Sequence, residues 1–137
     1  MEEARSDARL SEQAADIQLI HRMNSAIERG DLDGARESLD PGVVWEHNLG
    51  EGSPEEGVYR GREDVLGLYR RLLEVWDRIR IEPTEIQELS VHEFEVRGRM
   101  HFAHAASPAE ITTPYVQRVK VRDGRAAHVR LNLSMGG

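Results

Sequence analysis

Apolar side chains recur every three or four positions near the start of the chain, which is the spacing of one helix face. Four residues carry this pattern: Ile17, Ile20, Met23 and Ile27. The pattern lies between Ser11, a good N-cap, and Gly30, which suits a left-handed C-cap. We therefore predict a first helix over residues 11–30 with one buried stripe.

Two more helices are predicted downstream. Asp31 can cap a short helix from Leu32 to Leu39, which ends at the breaker Asp40-Pro41-Gly42. A longer helix follows, because its apolar residues share one face while charged residues take the other. Its apolar residues are Val65, Leu68, Tyr69, Leu72, Leu73, Trp76 and Ile79.

Other segments have the texture of strands. The segment Val43–Asn48 precedes a glycine-rich stretch, Leu49–Arg60, which predicts a loop. Asp123-Gly124 separates the last two strands and is a strong signal for a tight hairpin, because both residue types tolerate positive φ. The later strands are predicted over Ile79–Ser90, Glu93–Ala105, Ile111–Arg122 and Arg125–Met135.

Alternation along these strands separates an inner from an outer face. The inward positions are expected to be Phe94, Val96, Gly98, Met100 and Phe102; Ile111, Thr113, Tyr115, Gln117, Val119 and Val121; and Ala127, Val129, Leu131, Leu133 and Met135. Helices followed by a curved antiparallel sheet predict an α+β domain with the helices on one sheet face. Residues 1–10 lack an apolar period and are expected to fray or to form a loosely held helical start, which leaves one domain over 11–137.

The composition excludes several function classes. The chain has 137 residues, a formal net charge of −7 and no cysteine, so it has neither a disulfide framework nor a thiolate metal site. An acidic chain without a basic patch argues against nucleic-acid binding. No apolar run is long enough to span a bilayer, so we expect a cytoplasmic protein without a membrane partner. His101 and His104 face opposite sides of a strand and cannot chelate one ion, so neither a metal nor a cofactor is expected.

Three short motifs occur in a familiar order. They are Gly30-Asp31, Glu46-His47-Asn48 and Gly61-Arg62-Glu63, followed by the strands that meet at Asp123-Gly124. From about Ala14 to Ser134 the chain resembles the nuclear-transport-factor-2-like superfamily, most closely its SnoaL and ketosteroid-isomerase branches. The resemblance implies a cone-shaped α+β barrel of the cystatin-like kind, with a pocket between helices and sheet, and a homodimer.

The ketosteroid isomerases allow a comparison residue by residue. The position of their general-base Asp resembles His47, and their supporting Tyr resembles Tyr69. The positions of their two oxyanion-binding residues, a Tyr and a protonated Asp, are taken by Met23 and Gln117. Because that mechanism needs strong donors for the dienolate, we do not expect steroid isomerisation by this route.

Two other branches of the superfamily fit less well. The water-activating positions of its epoxide hydrolases resemble Gly98, Met100 and Leu131, which cannot activate water. SnoaL-type cyclases use an inward acid on the sheet, but the candidate acids here take the outer parity. These acids are Glu46, Glu93, Glu95 and Glu110. An acid/base cyclase of this kind would depend on His47.

His47 is accordingly the candidate catalytic residue, because an imidazole can act as acid or base near neutral pH. Asp40 or Glu51 could orient it, and the alternative is a hydrogen-bonded histidine at a pocket mouth. The candidate ligand-binding residues are Trp45, Tyr69, Tyr115, Gln117, Met23, Met100, Phe102 and Leu131. The tryptophan, the tyrosines and the methionines could instead serve only as core, and Gln117 could instead hydrogen-bond only to Tyr69.

The resulting hypothesis is a dimeric domain that binds a small apolar carbonyl compound. His47 would remove a proton α to the carbonyl, in an isomerase or cyclase reaction, while Gln117 and a tyrosine hold the oxygen. Two alternatives stay open: a non-catalytic ligand-binding protein, and an association domain. Arginines on the outer sheet face, such as Arg97, Arg118 and Arg130, suit either a solvated surface or a subunit interface.

Overall fold

The fold consists of three helices and six strands in the part of the chain that the structure describes. The structure is a computed structural model that describes residues 2–48, 55–104, 106 and 110–133, with side chains described from residue 8 onward. In chain order the elements are α1 (Glu2–Arg29), α2 (Leu32–Ser38), β1 (Leu39–Asn48), β2 (Gly57–Arg60), α3 (Arg62–Val75), β3 (Arg78–Ser90), β4 (Glu93–Ala103), β5 (Glu110–Arg122) and β6 (Arg125–Leu133).

The six strands form one mixed sheet in the order β2-β1-β6-β5-β4-β3. Strands β1 and β6 run parallel, and the other neighbouring pairs are antiparallel. Among the described strands the sheet does not close, since β2 and β3 are its edges. The three helices pack on it, which confirms the predicted α+β class with helices covering one sheet face.

Local sequence signals explain several element boundaries. Asp31 caps α2, because its carboxylate accepts a hydrogen bond from the Gly34 N–H at 3.0 Å. Gly30 ends α1 with a φ of 72°, as a left-handed C-cap requires. Asp123 and Gly124 join β5 to β6 with φ values of 52° and 73°, as in a tight hairpin turn. These three predictions are confirmed.

Four predicted boundaries are wrong. Helix α1 begins at Glu2 rather than Ser11, because Glu, Ala and Arg favour helix without an apolar stripe. Residue Leu39 begins β1 rather than ending α2. Part of the predicted loop forms β2, which pairs with β1. Helix α3 ends at Val75, so Ile79 belongs to β3. The predicted strand ends at Ala105 and Met135 lie outside the described residues.

Among the described residues, the predicted inner face of the sheet is correct apart from two positions, and Met135 lies outside them. The alternating inward residues of β4, from Phe94 to Phe102, are all buried. Ile111 is 43% exposed because it lies at the end of β5. Ala126 is buried instead of Ala127, since an irregularity in the β5–β6 register displaces the alternation by one residue.

Gly98 allows β3, β4 and β5 to approach each other closely. A Cβ atom at this position would lie 2.2 Å from the Glu82 carbonyl oxygen and 2.9 Å from Cε1 of Tyr115. No real side chain tolerates such contacts. The missing side chain of Gly98 therefore makes room for the Tyr115 ring.

Candidate functional site

His47 lies on the inner face of β1 and is 1% exposed. Neither ring nitrogen has a hydrogen-bond partner within the described part of the chain. Burial lowers the pKa of His47 to about 4, so the imidazole is neutral at pH 7. A neutral imidazole offers one N–H donor and one nitrogen that can accept a hydrogen bond or a proton.

The His47 ring belongs to a cluster of three aromatic rings, with Tyr69 in contact with the other two. The Tyr69 ring lies edge-on to Trp45, with centroids 5.4 Å apart and planes at 85°. It also lies edge-on to His47, at 6.4 Å and 79°. Tyr69 lies on the buried face of α3, whereas Trp45 and His47 occupy successive inward positions of β1. The predicted ligand-binding residue Tyr69 thus contacts His47, and it also contacts Trp45, a second predicted ligand-binding residue.

Strand register places three predicted residues in one row across the sheet. His47 on β1 pairs with Leu131 on β6, which pairs with Gln117 on β5. Tyr115 occupies the next inward position of β5 and is 2% exposed. Its hydroxyl has no hydrogen-bond partner among the described residues, and burial raises the pKa of Tyr115 to about 12. The hydroxyl is therefore protonated at neutral pH and able to donate.

Gln117 pairs with a residue that the sequence analysis missed. The Asn24 amide donates to the Gln117 carbonyl oxygen at 3.0 Å, and the Gln117 amide donates to the Asn24 carbonyl oxygen at 3.2 Å. Both side chains are buried. The helical spacing that includes Ile17, Ile20 and Ile27 also includes Asn24, so a polar residue in the apolar stripe was the available signal.

The remaining predicted ligand-binding residues are all buried but lie in different places. Met23 is fully buried on α1. Met100 on β4 pairs with Thr113 and is a diagonal neighbour of Tyr115. Phe102 packs against Trp76, with centroids 5.3 Å apart. Phe102 therefore contacts an aromatic side chain outside the cluster around His47.

Of the two carboxylates considered for orienting His47, the structure describes only Asp40, which has other partners. Asp40 accepts from the Gly42 N–H at 2.9 Å and forms an ion pair with Arg122 at 3.0 Å. The Gly42 hydrogen bond, together with Arg122, lowers the pKa of Asp40. Glu51 lies outside the described residues. Asp40 therefore does not orient His47, because its carboxylate is bound at the far end of β1.

The two histidines considered as metal ligands have separate partners. His101 lies within 2.8 Å of the Thr112 hydroxyl, whereas the His104 ring stacks on Trp76 with centroids 4.3 Å apart. No group of three or more potential metal-binding residues occurs among the described residues. In the same part of the chain, no helix is long and apolar enough to cross a membrane.

Charged side chains gather on the outer face of the sheet. Glu46 lies 2.9 Å from His128 and 3.5 Å from Arg130. Glu95 lies 3.1 Å from Arg97 and 3.4 Å from Arg118, and these arginines lower the pKa of Glu95. A cavity of about 260 Å³ opens on this face, lined by Glu46, Glu93, Arg118, Val119, Lys120, His128 and Arg130.

Solved structures share this fold. A nuclear-transport-factor-2-like protein of unknown function from Burkholderia pseudomallei is 24% identical, with a TM-score of 0.75 over 88% of this chain and 91% of that chain. TerC, co-crystallised with polyporic acid, is 21% identical with a TM-score of 0.77, over 88% and 92%. IdmH from Streptomyces antibioticus, provisionally assigned as a polyketide cyclase, is 19% identical with a TM-score of 0.74, over 86% and 91%.

A family comparison covers most of the chain. Residues 20–129 match the model of the SnoaL-like domain, which includes the segment that carries His47. Comparison with curated proteins gives no significant match. The structural neighbours at these identities share the fold, and the family match agrees with them. The chain belongs to the SnoaL-like domain family.

Proposed function

We propose that this protein binds a small apolar carbonyl compound between its helices and the inner face of its sheet, and that His47 acts on it as acid and base. The observation that carries this proposal is the pair of His47 ring nitrogens, which are buried without a hydrogen-bond partner in the described residues. A buried polar group without a partner costs about 1–3 kcal/mol. A bound ligand would recover that free energy.

The neighbouring groups suit chemistry at a carbonyl. The unprotonated nitrogen of neutral His47 can accept a proton from the carbon next to the carbonyl. The Tyr115 hydroxyl can donate to the oxygen on which negative charge develops. That negative charge stabilises the imidazolium that forms, so proton transfer creates an ion pair rather than one isolated buried charge. Return of the proton from His47 to another carbon would complete an isomerisation. Attack of the enolate carbon on a second carbonyl of the ligand would instead close a ring, and the imidazolium would return its proton to the alkoxide that forms.

A role for Gln117 follows from its pairing with Asn24. Each amide uses one N–H and its carbonyl oxygen in the reciprocal hydrogen bonds, which leaves one further N–H on each. Gln117 can therefore hold the ligand oxygen together with Tyr115 while its own orientation is held by Asn24. One structural neighbour, TerC, was co-crystallised with polyporic acid, which supports a small organic ligand for this fold.

Ligand-induced stabilisation and proton exchange test this proposal. The purified protein is screened by thermal shift against steroids, aromatic polyketides and terpenoid ketones, because a ligand that binds the folded state raises Tm. Bound ketones are then followed by NMR in deuterium oxide for exchange of the α protons. We expect His47→Phe to lose exchange, whereas His101→Phe, which alters a buried histidine on the outer sheet face, keeps it. Full exchange in His47→Phe would contradict the proposed role.

The non-catalytic alternative is favoured by one observation. His47 has no carboxylate partner among the described residues, and a base without an orienting group is a weaker catalyst. In that case ketones would bind with the same dependence on His47, but no α proton would exchange. The two outcomes separate a binding protein from an enzyme.

We also propose that two copies associate through the outer face of the sheet. The alternating charges there, with Glu46 and Glu95 each between two cations, can pair with a second copy related by two-fold symmetry. Analytical ultracentrifugation of wild type and of Arg118→Glu tests the interface. A monomeric wild type would exclude it. A dimer that binds none of the ketones would favour the association-domain alternative.

A further inference from the structure

We infer that Trp45 determines ligand specificity, because its indole N–H donates a hydrogen bond to a second oxygen of the ligand. The ligand is uncharged and carries one acceptor oxygen at each of two separate ends. This inference rests on the proposed function, since it concerns the ligand of the same interior site. It adds a subsite and a charge requirement that the position of His47 alone does not supply.

The indole of Trp45 is an unused donor in a fixed position. The residue is fully buried, and its Nε1 atom has no hydrogen-bond partner in the described part of the chain. Buried tryptophans ordinarily find a partner for this N–H. The edge-on contact with Tyr69 at 5.4 Å holds the ring in one orientation. A buried donor of this kind recognises an acceptor, and an indole offers no lone pair that could accept in return.

A single ligand oxygen cannot serve both Trp45 and Tyr115. Trp45 pairs with Val129 on β6, which pairs with Val119 on β5, four residues from Tyr115. The strand spacing and rise then separate the Cα atoms of Trp45 and Tyr115 by about 16 Å. Both side chains would have to lie along the sheet to reach one oxygen, whereas strand side chains stand roughly perpendicular to it, so we infer that the two donors take different acceptors. His47 lies between them, next to Trp45 on the same face of β1. The ligand therefore presents one oxygen at each end of an apolar body.

No Lys or Arg is buried in the described part of the interior to pair with an ionised ligand. Among the described residues, the buried polar side chains are Asp16, Asn24, Ser38, His47, His101, Thr113 and Gln117. Asp16 is the only carboxylate in this set, and it lies 2.6 Å from Nδ1 of His92. The arginines, lysine and glutamates of the central strands point to the outer face. A carboxylate ligand would lose its hydration and could gain a cation only by protonating His47, which burial opposes and which would also remove the base.

Three matched ketones test the inference by isothermal titration calorimetry. The probes are 6-acetyl-1-tetralone, with a second neutral oxygen; 6-isopropenyl-1-tetralone, without it; and 6-carboxy-1-tetralone, with a charge. We expect the acetyl compound to bind wild type about tenfold more tightly than the isopropenyl compound. We expect the carboxylate to bind on the order of a hundredfold more weakly.

The corresponding protein variants complete the test. Trp45→Phe keeps an aromatic ring but removes the donor, so the preference for the acetyl compound should disappear. Trp76→Phe is the matched control, because Trp76 packs against Phe102 and His104 instead of His47, and it should keep the preference. Equal preference in wild type and Trp45→Phe would overturn the inference.

An NMR measurement on the wild-type protein does not depend on how well the variants fold. The chain has two tryptophans, so its spectrum contains two indole N–H signals. Trp45→Phe and Trp76→Phe each remove one of these signals and so assign it. The acetyl compound should move the Trp45 signal downfield and leave that of Trp76 in place. If the ketones bind while the Trp45 signal stays unchanged, the inference fails and the proposed function stands. If none of the uncharged ketones binds, both fail.

Discussion

Asn24 and Gln117 hold each other by two reciprocal hydrogen bonds of 3.0 and 3.2 Å that join α1 to β5. The two residues are 93 positions apart in the chain, and both are buried. The pair fixes the amide that the proposed function places at the ligand oxygen. It also links the stability of the helix layer to the geometry of the sheet.

Asn24→Ala should therefore lower the free energy of unfolding by about 1–3 kcal/mol, because the Gln117 amide is left buried without its partner. Chemical denaturation measures this, and a double-mutant cycle with Gln117→Ala should show coupling between the sites. The matched control is the exposed amide pair Asn48 and Asn132, which are 2.8 Å apart. Asn132→Ala should cost less than about 0.5 kcal/mol. Equal costs at the two pairs would contradict this account.

The stability of the protein should depend on pH through His47. Its pKa is about 4 in the folded protein, against 6.5 for an unperturbed histidine, so the unfolded chain binds more protons between these values. The contribution of His47 to the free energy of unfolding is therefore fully present above pH 6.5. It decreases as the pH falls towards 4, by about 3 kcal/mol in all. Denaturation at a series of pH values should show a shallower decrease for His47→Phe than for wild type. Parallel curves would mean that His47 does not titrate in this way.

Gly98→Ala should destabilise the fold by roughly 1–3 kcal/mol, because the new Cβ would collide with the Glu82 carbonyl oxygen and the Tyr115 ring. Displacement of Tyr115 should also weaken ketone binding. Gly67→Ala is the control: it lies in α3, where the new Cβ would meet the Arg71 guanidinium at 3.5 Å. Because alanine favours helix, this variant should be neutral or more stable by up to about 1 kcal/mol. Thermal unfolding compares the two, and similar values would rule out the steric explanation.

Asp16 and His92 should anchor α1 to the turn between β3 and β4. Their side chains are 2.6 Å apart, and His92 adopts a φ of 62°, which is rare for a residue other than glycine. His92→Ala would leave the buried Asp16 carboxylate unpaired, at a cost of about 1–3 kcal/mol. Hydrogen exchange should then accelerate in α1 around Asp16. His21→Ala, at an exposed position of the same helix, should leave exchange there unchanged.

Much of the fold follows from local patterns. The alternation from Phe94 to Phe102 identifies the inner face of β4, because neighbouring strand residues point to opposite sides. The cap at Asp31, the helix end at Gly30 and the turn at Asp123 were predictable for a second reason. Each depends on the local preferences of one or two residues. Strand β2 was not predictable, because its four residues form a strand only by pairing with β1.

The order of residues along the chain was sufficient for the α+β class, the buried faces and the choice of His47 as the central candidate. Local backbone preference and side-chain periodicity decide the class and the buried faces, whereas His47 was chosen because its position resembles that of the general base of the ketosteroid isomerases. Tertiary packing alone decided that Asn24 holds Gln117, that Asp40 pairs with Arg122 instead of His47, and that Trp45 is buried with an unused N–H. Each of these depends on contacts between distant segments, which periodicity along a strand or helix does not encode.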